Sequence, residues 1–109
     1  MTGSEMLIKV KKSGYSPSAE FLADDTHQLR AYVEGTNNDI YLDFSSRRAM
    51  YEFALSLLHE AVYGESGGQE FLAVFDGVRL QVSDGVRLSS DSSRMFTFYD
   101  TEKDPEFAP

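Results

Sequence analysis

"SSRRAMYEFALSLLHEAVYG", residues 45–64, is the stretch on which the fold turns. Met50, Phe53, Ala54, Leu57, Leu58 and Ala61 recur at i, i+3, i+4, i+7, i+8 and i+11, which lays them along one continuous helical face. Ser45 or Ser46 stands where a hydroxyl can accept from the orphan N–H groups of a first turn, and Gly64 where a left-handed residue can end the helix. The spacing predicts a helix over 46–63. Tyr51, Leu55 and Val62 widen the apolar sector, so the helix is expected to lie against a sheet.

Upstream, "MLIKVKK", "AEFLADD", "QLRAYVEG" and "NDIYLDF" are short, alternating and punctuated by turn residues, the pattern of antiparallel strands. One pair can be put in register. A loop over 35–38 sets Val33 opposite Ile40, Ala31 opposite Leu42 and Leu29 opposite Phe44 on one face. The other face then carries Tyr32 beside Tyr41 and Arg30 beside Asp43.

Downstream, "FDGVRLQVSDGVRLSS", residues 75–90, contains DGVRL twice. Two copies are too few for a solenoid, and the carboxylate ladder of a calcium loop is missing. The repeat reads as two hairpin turns. A two-residue turn at Asp76-Gly77 sets Phe75 opposite Val78, Ala73 opposite Leu80 and Phe71 opposite Val82. A three-residue turn over 83–85 then sets Val82 opposite Val86 and Leu80 opposite Leu88. "SSDSS" is a polar loop, "MFTFYD" a last strand, and 101–109 a flexible acidic tail. Strands, one amphipathic helix, then strands again give an α+β domain: an antiparallel sheet of hairpins with the helix packed on one face, spanning 1–109 with its core over about 6–100.

The 109 residues carry 18 acidic against 10 basic side chains, a net charge of −8, with 8 Phe, 6 Tyr and no Cys. The chain is long enough for one core. Without cysteine it has no disulfide, no thiolate metal site and no cysteine nucleophile. Its negative field disfavours nucleic acid and anionic lipid, and no apolar run approaches the roughly 18 residues that span a bilayer. "MTGSEMLIKVKK" lacks the order of a secretory signal, so the expected location is cytoplasmic.

Three matches to catalytic patterns fail on context. "GESGG", residues 64–68, has the spacing of a nucleophile elbow but follows a helix instead of a strand, and His27 and His59 both precede Ser66. "HEAVY", residues 59–63, places Tyr63 where a zinc-protease helix needs its second histidine. "GTNND", residues 35–39, lacks the lysine of a phosphate loop. No catalytic residue, cofactor or metal ligand is assigned.

What remains is the sheet face that one helix leaves uncovered. Arg30, Tyr32, Tyr41, Leu72, Val74, Arg79, Gln81 and Arg87 fall on it, and tyrosine and arginine are the side chains that dominate protein interfaces. The expectation is a non-catalytic protein-binding module whose partner is a protein of basic character, with a second copy of the chain as the other candidate. The alternative is a small-ligand or enzymatic pocket near the helix C-terminus, using His59, Glu60 and Tyr63. A small acidic cysteine-free domain ordered as strands, one central helix and hairpins resembles the bacterial immunity proteins of polymorphic toxin systems. That resemblance implies a stoichiometric inhibitor that masks a toxin and assigns no individual residue a role.

Overall fold

A computed structural model describes residues 3–14, 16–77, 79–82 and 85–105, with the backbone alone of Asp76 and Arg79. The fold is α+β. A short helix α1 (Ala19–Ala23) precedes strands β1 (Leu29–Val33) and β2 (Ile40–Phe44). The main helix α2 (Arg47–Tyr63) follows, then β3 (Gly68–Phe71), β4 (Val74–Asp76), β5 (Arg79–Gln81) and β6 (Met95–Phe98). The strands pair as three two-stranded antiparallel ladders, β1 with β2, β3 with β6 and β4 with β5.

The β1–β2 ladder has the register that its side chains dictate, from Leu29 opposite Phe44 to Val33 opposite Ile40. Its turn is closed by Glu34 N donating to Asp39 O at 2.7 Å. The N-terminal strands are not formed. Residues 6–12 have neither helix nor strand, and "AEFLA" is helical because the Ser18 hydroxyl accepts from Phe21 N at 3.2 Å and starts a turn.

Helix α2 begins and ends where expected, with Ser46 accepting from Ala49 N. Its buried stripe, however, is Ala49, Glu52, Phe53 and Ser56, one position round from the face that apolar spacing selects, and Met50 is 59% exposed. The cause is close backbone approach. Gly85 lies directly on the helix, where a Cβ would overlap the Ser56 side chain, so the small residues Ala49 and Ser56 face inward. Glu52, buried with them, is held by Arg48 one turn earlier at 3.1 Å, and burial pushes its carboxyl above the usual range. Gly64 is extended, with φ −70°, and caps by donating its N–H to Glu60 O.

The two DGVRL copies take different structures. In the first, Phe75 pairs with Leu80 and Asp76 with Arg79, so the register slides from the expected one. Phe75 moves from Val78 to Leu80, a shift of two that keeps the same residues on each face. Val78 lies outside the described residues. Phe71 is not paired with Val82 but with Met95 of β6.

Among the described residues the second copy pairs with β1. It runs parallel to β1, with Leu29 N donating to Arg87 O and Ser89 N to Leu29 O, both at 2.9 Å. Ser83 and Asp84 of the expected turn lie outside the described residues. Val86 and Leu88 enter the core with Leu29, Phe53 and Phe71, and Phe44, Leu57, Ala73 and Met95 pack around them. Phe53 sits at the centre, 5.3 Å edge-on to Phe71 and 5.9 Å from Phe44.

This difference between the copies is testable by substitution. Both Gly77 and Gly85 have positive φ, at 70° and 86°. Only Gly85 would press a methyl group into the helix, since nothing lies within 4 Å of a Cβ at Gly77. In chemical denaturation, Gly77→Ala is expected to cost about 1 kcal/mol and Gly85→Ala about 3 kcal/mol or more. Equal costs would contradict the packed position of the second copy.

Candidate functional site

Arg30, Tyr32 and Tyr41 form one cluster on the outer face of the β1–β2 ladder. The antiparallel register puts the tyrosines side by side, and their rings stack at 5.2 Å and 16°. Arg30, two residues before Tyr32, lays its guanidinium 4.3 Å from the Tyr32 ring centre. Its Nε reaches Asp91 Oδ2 at 3.0 Å, and Asp43 faces it across the ladder. The Ser89 hydroxyl, and then Arg30, hold the Asp91 carboxyl below the usual carboxylate range. A stacked pair with a fixed guanidinium is a rigid, amphipathic surface that costs little entropy to bury.

The opposite face of the same hairpin is also uncovered toward its tip. Leu29 and Ala31 are buried, but Val33, Leu42 and Ile40 are exposed, Ile40 by 74%. The hairpin therefore extends past the core that its base covers.

The other expected face residues are divided. Val74 and Gln81 pair on the β4–β5 ladder and are half-buried, as is Leu72 just before it. Arg79 is placed on β5 by its backbone, opposite Asp76. These residues belong to a separate ladder from Arg30, Tyr32 and Tyr41, so the single outer sheet face of the sequence reading is two surfaces.

Arg87 is on neither. It is 2% exposed, and its guanidinium donates to Leu80 O at 3.1 Å, Asp24 O at 2.8 Å, Leu22 O at 3.1 Å and His27 O at 3.4 Å. The Phe21 ring covers it at 5.6 Å. Carbonyl dipoles solvate the cation in place of water, which is why a residue expected at the surface can sit inside.

The helix end does not bring His59, Glu60 and Tyr63 to one pocket. His59 Nε2 lies 3.0 Å from Lys11 O and lines a hollow of about 470 Å³ with Leu55, Lys9 and Lys11. Tyr63 tilts against its ring at 6.0 Å. Glu60 turns to a different cleft of about 800 Å³, between the end of α2, strand β6 and residues 100–105. There the Tyr99 hydroxyl donates to Glu60 Oε2 at 2.6 Å. Ser66, the centre of GESGG, has Glu60 Oε2 at 3.1 Å and Gly68 O at 2.8 Å as acceptors within the turn that leaves the helix.

Residues that sequence reading passed over lie on β6. Phe96 and Phe98 are 53% and 83% exposed and stack in parallel at 6.4 Å. Alternation along "MFTFYD" separates them from Met95, Thr97 and Tyr99, but it does not say which set the core covers.

Among the described residues no group of three His, Asp or Glu side chains is placed to hold a metal ion. Among the same residues no helix is long and apolar enough to cross a membrane.

The Tyr99–Glu60 bond gives the cleft a signature. The Glu60 carboxylate, as acceptor of the phenolic proton, raises the Tyr99 pKa above that of free tyrosine. In NMR titrations with ring-labelled tyrosine, Tyr99 should ionise at higher pH than free tyrosine, and Glu60→Gln should bring it back toward the ordinary value. Insensitivity of Tyr99 to that substitution would contradict the geometry of the cleft. No protein-family model, curated protein or solved structure matches the chain.

Proposed function

We propose that the chain is a non-catalytic protein-binding module of the cytoplasm, a stoichiometric inhibitor of the immunity type that engages a basic protein. The observation that carries this reading is the β1–β2 hairpin, which presents stacked Tyr32 and Tyr41 with Arg30 on one face and Val33, Ile40 and Leu42 on the other. Rigid aromatics with an arginine are what interface hot spots are made of, and uncovered apolar surface of this kind marks interaction sites. A net charge of −8 favours a cationic partner and speeds its association.

The arrangement at the helix end supports a binding reading over an enzymatic one, because His59 and Glu60 serve different cavities instead of converging on one reacting atom. The test is affinity capture from lysate of the source cell with tagged protein, at low and high salt. A basic protein retained in stoichiometric amount at low salt, released at high salt, and lost with Tyr41→Ala or Arg30→Ala while thermal stability is unchanged, is the expected result. An empty capture at both salts, or a partner indifferent to both substitutions, would contradict the proposal.

A further inference from the structure

Strand β6 has a hydrogen-bonded neighbour on one side only, β3, among the described residues. Its register with β3 continues past the strand, where Tyr99 N donates to Gly67 O at 2.9 Å. In an antiparallel pair the inward and outward backbone groups alternate. Those of Met95, Thr97 and Tyr99 therefore face β3, and the N–H and C=O of Phe96 and Phe98 face the open edge. The side chains alternate as well. Met95 packs into the core and Thr97 and Tyr99 line the acidic cleft, while Phe96 and Phe98 stand outward.

Natural sheets protect open edges with charge, proline or bulges. Among the described residues the edge offers the outward backbone donors and acceptors of Phe96 and Phe98 beneath two exposed rings. We propose that the open edge of β6 is a docking strand for an extended, basic segment of a partner protein, which adds a strand beside Phe96 and Phe98 and brings cationic side chains to the neighbouring acidic cleft. Main-chain pairing supplies affinity in this mode, and alternate side chains supply specificity.

Charge selects the occupant. Glu60, Glu65, Asp100, Glu102 and Asp104 line the cleft against Lys103, and Arg94 beside the strand is paired with Glu70 at 3.0 Å. Two copies joined edge to edge would bring two such clefts together, in molecules that each carry −8, which disfavours a second copy. A segment alternating apolar and cationic residues meets both the rings and the carboxylates.

This proposal rests on the protein-binding reading above but can fail without it. The probe is a short capped peptide alternating lysine and valine, with a glutamate–valine peptide as control, titrated into the ¹⁵N-labelled full chain. The lysine peptide should shift the amides of residues 95–100 and slow exchange at Phe96 and Phe98, and the glutamate peptide should not bind. Phe96→Ser with Phe98→Ser should weaken it about tenfold, the scale of losing hot-spot side chains. Phe98→Pro, which removes an outward donor and leaves the β3 ladder intact, should do so as well. Amide dispersion of each variant reports its fold.

Equal binding of both peptides, shifts confined to other residues, or no binding would overturn the proposal. So would self-association that Phe98→Ser abolishes, because the edge would then belong to a second copy. A partner captured through Tyr41 in the presence of any of these results would leave the binding reading standing and remove only the β6 site.

Discussion

The buried guanidinium of Arg87 is the constraint on which the rest of the structure depends. It reaches the carbonyls of Leu22, Asp24 and His27 on one side and Leu80 on the other, so one side chain ties the turn after α1 to strand β5. Dehydrating a permanent charge is costly, and it is tolerated only where oriented dipoles replace the lost water. Four carbonyls aimed at one group require the chain around them to be fixed. With Arg87 in place, its neighbours Val86 and Leu88 point into the core, and its own carbonyl receives Leu29 N. The second DGVRL segment is thereby committed to β1.

That commitment decides which face of α2 is covered. Gly85 comes to rest on Ser56, the helix turns its small residues to the backbone, and Phe53 becomes the main apolar contribution of the helix to the core. Met50 is left outside. The hairpin tip and the outer side of β6 are left uncovered. The exposed side chains of Ile40, Leu42, Phe96 and Phe98 are thus a consequence of where the core closed. Uncovered apolar surface of this kind is the physical basis of the proposed binding role.

How much of this could be read from the chain follows from the range of the interactions. The β1–β2 register was legible to the residue, because complementary pairs across a short turn are a local property. So were the ends of α2, and with them the Arg30, Tyr32 and Tyr41 cluster, which needs only the register to assemble. The buried face of α2 was not legible, since it is chosen by Gly85, far along the chain. Local rules read both DGVRL copies as hairpin turns, of two and three residues, because the pairing of the second copy with β1 joins segments far apart in the chain. "AEFLADD" alternates like a strand, yet one hydroxyl at Ser18 tips its first residues into a helical turn. On β6, the sequence pattern identifies a strand, but only the placement of the core shows that the aromatic face is the bare one.

The central claim is that a charged side chain inside the protein, and not an apolar repeat, organises these parts. It is tested most directly by hydrogen exchange at the arginine Nε–H groups, followed by ¹⁵N NMR in the native protein. Arg87 Nε–H, which donates to Leu80 O at 3.1 Å, should exchange far more slowly than those of exposed Arg30 and Arg94. Exchange of Arg87 as fast as theirs would place its guanidinium in solvent and contradict the account.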